Sequence, residues 1–300
     1  MTAHPPPPLS ADMVDRSADE RTTEGLIETA REDDRTVVLA LARDAAPLAE
    51  RNALAWMSPR EVPVPDEWAF LGRRPDGRAV LAAVYIDDEP PFPAPAGWGG
   101  LRTVGPDLDP AETSVFVEAL SLGRWLRDSA FCPACGVRTD LRTGGWSRHC
   151  PSCAREHFPR TDPAVIVAVT HPEDRDLLLL GSNVLWEDDR FSCFAGFAEA
   201  GESLEEAVVR ELFEEAGVAL SDVRYHGSQA WPYPRSLMVG FLATAVDPVA
   251  ARPDGEEIVE VRWFHRDEIG AALEGRGPVR LPGPASISRH LIESWYGGAA

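Results

Sequence analysis

Apolar positions change rhythm several times along this chain. From about residue 24 to residue 110 they come as short runs, at 37–41 (VVLAL), 68–71 (WAFL) and 79–86 (AVLAAVYI), bounded by Pro, Gly or Asp. Runs of that length with such borders predict strands. Residues 87–110 are rich in Pro, Gly and Asp and predict a long loop. From Asp109-Pro110 to about Asp128 the interval becomes helical, with Val115, Phe116, Ala119, Leu122, Trp125 and Leu126 recurring on one face. Beyond residue 158, continuous apolar runs at 164–169 (AVIVAV) and 177–180 (LLLL) predict buried strands. Further strand-like stretches follow at 222–228, 238–245 and 258–264, with helical ones at 266–273 and 286–295. Strands interleaved with helices indicate an α/β layered domain.

One helix carries an unusual polar face. Residues 196–218 read GFAEAGESLEEAVVRELFEEAGV. Ser203 followed by Glu206 predicts a capping box, and Gly217 the left-handed stop. Leu204, Ala207, Val208, Leu212 and Ala216 form the stripe to be buried. Opposite it, Glu211, Glu214 and Glu215 stand at i, i+3 and i+4, within an arc of about 100°. Carboxylates so placed repel by roughly a few tenths of a kcal/mol per pair. Mg²⁺ or Mn²⁺ converts that repulsion into ligation, because hard cations take oxygen donors. An ordinary amphipathic helix with a solvated Glu face gives the same local pattern.

The chain holds five cysteines. Cys132 and Cys135 form CPAC, 14 residues intervene, and Cys150 and Cys153 form CPSC. Two matched Cys-x-x-Cys turns in a chain without a secretion signal point to a structural Zn²⁺ held by four thiolates, not to disulfides. His149 is a neighbour that a four-sulfur site does not need. Cys193 stands alone in a strand-like run and reads as a small buried hydrophobe.

Three hundred residues exceed one domain of this kind. Apolar content of 44% is ordinary for a globular protein. No apolar run approaches the roughly 18 residues a bilayer needs, and the Pro-rich polar start lacks a signal-peptide core. Residues 1–23 are expected to be disordered, and the chain cytoplasmic without a membrane partner. Net charge is −20, from 49 acidic and 29 basic residues. That excludes a general nucleic-acid binder, which needs a basic footprint, but not a substrate whose phosphates are met through metal ions.

A second segment, at 228–238, reads SQAWPYPRSLM. Pro232 and Pro234 fix their own φ and restrict their predecessors, so Trp231 and Tyr233 lose little entropy on binding. Gln229 and Ser236 add hydrogen-bonding groups. A preorganised aromatic and polar wall suits a flat heterocycle. A loop contributing core aromatics has the same composition.

Taken together, Gly196, five residues, Glu202, seven residues and then RELFEEAGV at 210–218 match every fixed position of the Nudix box. The chain resembles the Nudix hydrolases. The resemblance implies an α/β fold, an α/β/α sandwich with a mixed sheet, and cleavage of a diphosphate joined to another group. It implies that Arg210 pairs with Glu202 to brace the loop while Glu211, Glu214 and Glu215 face the metals. With the zinc ribbon and the Ser-Gln-x-Trp-Pro-x-Pro-x-Ser segment, the likeness narrows to the NADH pyrophosphatase branch, whose members also act as NAD-capped RNA hydrolases. Ala230 and Tyr233 depart from the usual SQPWPFPxS. The implied layout is a non-catalytic Nudix-like α+β domain at 24–129, a zinc ribbon at 130–157 and the catalytic domain at 158–300.

Further roles follow from the same resemblance. Phe158, Phe197, Gln229, Ala230, Trp231, Pro232, Tyr233, Pro234, Arg235, Ser236 and Ser288 would contact substrate. The Ala195 carbonyl, Glu211, Glu214, Glu215 and Glu257 would hold Mg²⁺ or Mn²⁺, with Glu260 the fallback for Glu257. Glu215, then Glu214, is the expected base. A substrate-contact Glu of relatives falls near Gly145 and is missing here. The expected activity is hydrolysis of NADH or NAD⁺ to nicotinamide mononucleotide and AMP, together with removal of NAD caps from RNA, in a homodimer with the Trp125 helix as one surface. Rival readings are a Nudix hydrolase of ADP-ribose or dinucleoside polyphosphates, and a non-catalytic binding module.

Overall fold

The computed structural model describes residues 7–9, 14–87, 89–187 and 189–298. The expected disorder of 1–6 and 10–13 lies outside the described residues. Two compact units emerge. One comprises Leu9–Thr161 with Trp231–Arg235; the other comprises Asp162–Ala230 and Ser236–Ala300 with the short segment ending at Pro8.

The first unit contains α1 (Leu26–Glu32), β1 (Val37–Ala42), β2 (Ala45–Glu50), β3 (Ala53–Leu54), β4 (Glu67–Arg73), β5 (Ala79–Tyr85), β6 (Trp98–Gly100), α2 (Leu101–Val104) and α3 (Pro110–Asp128). Its sheet has the order β3-β2-β1-β5-β4, with β6 on β2. β1 and β5 run parallel from Val37↔Val80 to Ala42↔Tyr85. Alternation along these strands explains both faces. Leu39, Leu41, Val80, Ala82 and Val84 pack in one cluster with the apolar face of α3. Val38, Ala40, Leu81 and Ala83 pack in another with Leu26 and Ala30 of α1. Because both faces are covered, every residue of β5 is buried.

Three expectations change here. The stretch 87–110 is not wholly loop, since β6 is recruited by antiparallel pairing with β2. The flexible start ends earlier than residue 23: Asp15 exchanges backbone hydrogen bonds with Arg73 at 3.1 and 2.7 Å, and Glu20 pairs with Arg73 at 2.6 Å. Trp125 is 5% exposed and belongs to the core, so it offers no dimer surface.

The cysteine module carries β7 (Asp140–Arg142), β8 (Ser147–His149) and β9 (Glu156–His157), a three-stranded sheet in chain order. It groups by its contacts with the first unit. Long polar side chains tie it down. The Trp146 indole N–H donates to the Phe70 carbonyl at 2.7 Å, and the fully buried Arg148 donates to Leu126 O at 2.8 Å and to Glu67 at 3.0 Å. Gly145 has φ +95°, and a Cβ there would meet Ala69 Cβ at 2.7 Å. No side chain fits where relatives are expected to carry a Glu.

The second unit contains β10 (Asp162–Thr170), β11 (Leu177–Asn183), β12 (Phe194–Phe197), α4 (Leu204–Ala216), β13 (Leu220–Trp231), β14 (Ser236–Ala245), β15 (Ile258–His265), α5 (Arg266–Leu273) and α6 (Ile287–Tyr296). Its order is β13-β14-β10-β11-β15, with β12 on β10. β10 and β14 are parallel, whereas β10–β11, β10–β12 and β11–β15 are antiparallel. Val165, Val167, Val169 and Phe241 pack with Ala207, Val208, Leu212 and Ala216 of α4. Ile166, Ala168, Leu178 and Leu180 pack with Ile269 of α5 and with Ile287, Leu291 and Trp295 of α6. This is the expected α/β/α sandwich around a mixed sheet.

Candidate functional site

The acidic helix forms for the reasons its sequence gives. The Ser203 hydroxyl accepts from the Glu206 N–H at 3.2 Å, and the Glu206 carboxylate accepts from the Ser203 N–H at 2.8 Å. At the other end Gly217 takes φ +68° and donates to Phe213 O at 3.0 Å. The buried stripe docks α4 on the sheet, and this turns the opposite face toward the β12 turn. There a Cβ on Gly196 would land on the Glu211 carboxylate. Glycine at 196 is what makes room for that acid.

Arg210 organises the neighbourhood. Its guanidinium forms a two-pronged pair with Glu202, at 2.6 and 3.1 Å. It also donates to the Phe197 carbonyl at 3.0 Å, to Glu211 at 2.9 Å and to Glu214 at 3.2 Å. Glu202 in turn accepts the Glu199 N–H at 2.6 Å. The loop brace implied by the resemblance is therefore present, and one cation is shared by three carboxylates.

Two of the acids on the helix face are raised above the ordinary carboxylate range. Burial, opposed by Arg210, raises Glu211. Glu215 is 6% exposed, and its Oε2 is buried with no hydrogen-bond partner among the described residues. Burial first, and then the charges of Glu257, Glu211, Asp254 and Glu214, push Glu215 up to about 8. The Glu257 charge is felt by both groups, and Glu260 sits further along β15, opposite Ser182. An orphaned buried oxygen and a glycine cradle against a second acid fit a divalent cation with oxygen donors.

The aromatic segment is divided. Trp231 and Tyr233 stack edge to face with ring centroids 5.2 Å apart. The Arg102 guanidinium lies 3.9 Å from the Tyr233 ring centroid and 5.3 Å from that of Trp231. Tyr233 also packs against the core of the first unit, and Pro232 is buried, whereas Ala230, Pro234 and Arg235 are exposed. Arg102 was missed in the sequence because a single arginine after a glycine pair has no spacing to mark it. Phe158 and Phe197 are each about half exposed, which leaves a ring face free. Ala195 pairs with Ile166 in the β10–β12 ladder.

Three of the residues expected to contact substrate are buried. Gln229 is 1% exposed; its amide donates to Pro8 O and Ala285 O, both at 2.7 Å, and accepts from Ile287 N at 2.7 Å. Ser288 is buried, 2.7 Å from the Ser192 hydroxyl, and accepts from Cys193 N at 3.2 Å. Ser236 is buried where β14 begins, opposite Asp162. The polar groups of Gln229 and Ser288 are committed to the fold because a buried polar atom costs free energy when left unpaired.

The four cysteines meet as expected. The ligand atoms of Cys132, Cys135, Cys150 and Cys153 all lie within 4.8 Å of one another, and the closer Sγ pairs are 3.4, 3.6 and 3.7 Å apart. Sulfurs at about 2.3 Å from a tetrahedral Zn²⁺ stand about 3.8 Å apart, so the cage is preformed. The Cys153 N–H, opposed by burial and aided by the Ser152 N–H, holds Cys150 down at about 6. Zn²⁺ here is structural, with no position left open. Burial pushes the Cys193 thiol up to about 12, which makes it an inert core residue.

Two outcomes follow from this geometry. Cys132→Ser should lower both zinc content and melting temperature, since structural zinc supplies folding free energy; folded, zinc-free protein of unchanged stability would refute the architectural role. In the metal-free protein Glu215 keeps its proton up to about 8, against 4.5 for the ordinary group. Its contribution to stability is complete below about 4.5 and is lost as pH rises through about 8. A divalent cation competes with that proton, so the rise in melting temperature on adding Mn²⁺ should grow from pH 6 to pH 9. A constant rise over that range would take Glu215 out of the metal site.

Comparison with known proteins agrees with this geometry. The NUDIX domain family matches residues 160–281, and the NADH pyrophosphatase zinc ribbon domain matches residues 127–158. The NAD-capped RNA hydrolase NudC of Mycobacterium bovis (strain BCG / Pasteur 1173P2) is 43% identical over 242 residues, covering 77% of this chain and 76% of the relative. NudC of Stutzerimonas stutzeri (strain A1501) is 36% identical over 238 residues, covering 79% and 80%. The NAD-capped RNA hydrolase NUDT12 of Macaca fascicularis is 39% identical over 198 residues, covering 63% of this chain and 42% of its own. The chain belongs to the Nudix hydrolase family, in the group that carries the NADH pyrophosphatase zinc ribbon.

Proposed function

We propose that this protein hydrolyses the pyrophosphate bond of NADH and NAD⁺, giving nicotinamide mononucleotide and AMP, and removes NAD caps from RNA 5′ ends to leave a 5′-monophosphate. The observation that carries the reading is Glu215, a buried carboxylate with an unpartnered oxygen beside Glu211 and Glu257. Glu211, Glu214, Glu215 and Glu257, with the Ala195 carbonyl, would hold Mg²⁺ or Mn²⁺. Bound there, such ions neutralise phosphate charge and acidify a coordinated water.

The chain's own groups do the rest. Glu215, whose proton affinity is raised to about 8, is suited in its ionised form to take a proton from the attacking water, with Glu214 as the second candidate. Arg210 holds the loop and the helix face in register. The exposed rings of Phe158 and Phe197 and the Trp231–Tyr233 pair are surfaces on which a nicotinamide or adenine ring can stack. Ala230, Pro232, Pro234 and Arg235 shape the segment around that pair.

Incubation of the zinc-loaded protein with NADH and Mn²⁺ should yield nicotinamide mononucleotide and AMP on chromatography. Glu215→Gln should keep the fold and lower kcat by about 10²–10⁴. Faster turnover of ADP-ribose or a dinucleoside polyphosphate than of NADH would move the assignment to another Nudix activity. Binding of NADH without metal-dependent cleavage would make the protein a binding module.

Four reduced cysteines set for a metal suit a reducing compartment, which supports a cytoplasmic location. Among the described residues no helix is long and apolar enough to cross a membrane. The family likeness further supports a homodimer. Light scattering should then give twice the chain mass of 32.7 kDa, and a single-chain mass would rule the dimer out.

A further inference from the structure

Glu257 is an exposed carboxylate on a loop, close to two other acids that repel it. Left to itself, such a side chain would turn outward into water. Two residues that carry no expected role restrain it.

Asp254 organises the loop. Its Oδ1 accepts backbone N–H groups from Ile258 at 2.8 Å, Glu256 at 3.2 Å and Glu257 at 3.3 Å. Gly255, at φ +79°, closes the turn by donating to Ile258 O at 3.0 Å. The same loop caps the acidic helix. The Asp254 N–H donates to Glu215 O at 3.3 Å, and the Arg252 N–H donates to Ala216 O at 3.0 Å. The backbone carrying Glu215 and the turn carrying Glu257 are thereby one hydrogen-bonded piece.

Asn183 holds the other side. Its amide donates to Glu257 Oε1 at 3.2 Å, while its own oxygen accepts from Leu185 N at 2.9 Å. The neighbouring Val184 N–H donates to Glu257 O at 2.9 Å. Along the β11–β15 ladder Ser182 faces Glu260 but Asn183 faces Ile258, so one residue of β15 is extra at this point. A bulge of that kind re-aims side chains at a strand end. Here it leaves the Glu257 carboxylate, one residue before Ile258, within hydrogen-bond reach of the Asn183 amide.

We propose that Asp254 and Asn183 are positioning residues that fix Glu257 against the carboxylate face of α4, setting the affinity for the catalytic divalent cation. This rests on the reading of Glu257 as a metal-site carboxylate. Neither residue is a metal ligand: the Asp254 carboxylate is occupied by backbone N–H groups, and Asn183 presents its donor nitrogen to Glu257. Partners that orient a ligand in this way commonly change metal affinity about 10- to 100-fold.

The test measures Mn²⁺ binding by electron paramagnetic resonance of the free ion, in zinc-loaded full-length protein, with melting temperature as the check on folding. Asn183→Ala and Asp254→Ala should each weaken Mn²⁺ binding about 10-fold or more, while kcat at saturating Mn²⁺ stays within about twofold. Asp254→Asn keeps an oxygen acceptor for the loop and should retain wild-type affinity. If it weakens binding as much as alanine does, Asp254 acts through its charge and the positioning role is overturned. Glu257→Gln separates the two levels. Unchanged Mn²⁺ affinity in that variant removes Glu257 from the metal site, and the proposal with it. Weakened affinity there, with Asn183→Ala and Asp254→Ala both unaffected, leaves Glu257 in place and overturns only the frame.

Discussion

A single guanidinium keeps the acidic face of α4 intact. Glu211, Glu214 and Glu215 share one side of the helix, and like charges at that spacing favour unwinding or reorientation. Arg210 counters them with bonds to Glu211 and Glu214, while its paired prongs on Glu202 anchor the incoming loop. Its contact with the Phe197 carbonyl ties the end of β12 to the same point. Loop, strand end and helix are thus locked before any cation arrives. A guanidinium can do this because its donors lie in a rigid plane and its charge is permanent.

Around that lock the sandwich supplies rigidity. The apolar stripe of α4 is fixed on the β10–β14 face, and α5 and α6 cover the other side of the sheet. Glu215 lies at the edge of this packing, which explains both its burial and its reluctance to ionise. The chemistry draws on a group that the fold makes uncomfortable, as functional carboxylates commonly are.

The zinc module plays a quieter part. Its four sulfurs are far from exhausting its attachments: Trp146 and Arg148 thread polar bonds into the N-terminal sheet and α3. Gly145 must be glycine because the ribbon runs against Ala69 without clearance. That close approach accounts for the ribbon's grouping with the first unit, and for the lack of an acidic contact at this position.

What the sequence determined by itself is whatever depends on neighbours along the chain. The capping box at Ser203 and Glu206, the stop at Gly217, the three-glutamate face, the thiolate spacing and the span of α3 each arise from residues within a few turns, so periodicity and motif sufficed. The tertiary structure alone decided where long-range partners meet. Gln229 and Ser288, expected from the resemblance to contact substrate, send their hydrogen bonds to Ala285, Ile287, Ser192 and Cys193, which no local pattern connects to them. β6 became a strand only because β2 offered it an edge. Asp254 and Asn183 sit 71 positions apart and acquire meaning through one glutamate. Local chemistry is written in spacing, whereas the satisfaction of buried polar groups depends on which distant segments packing brings into contact.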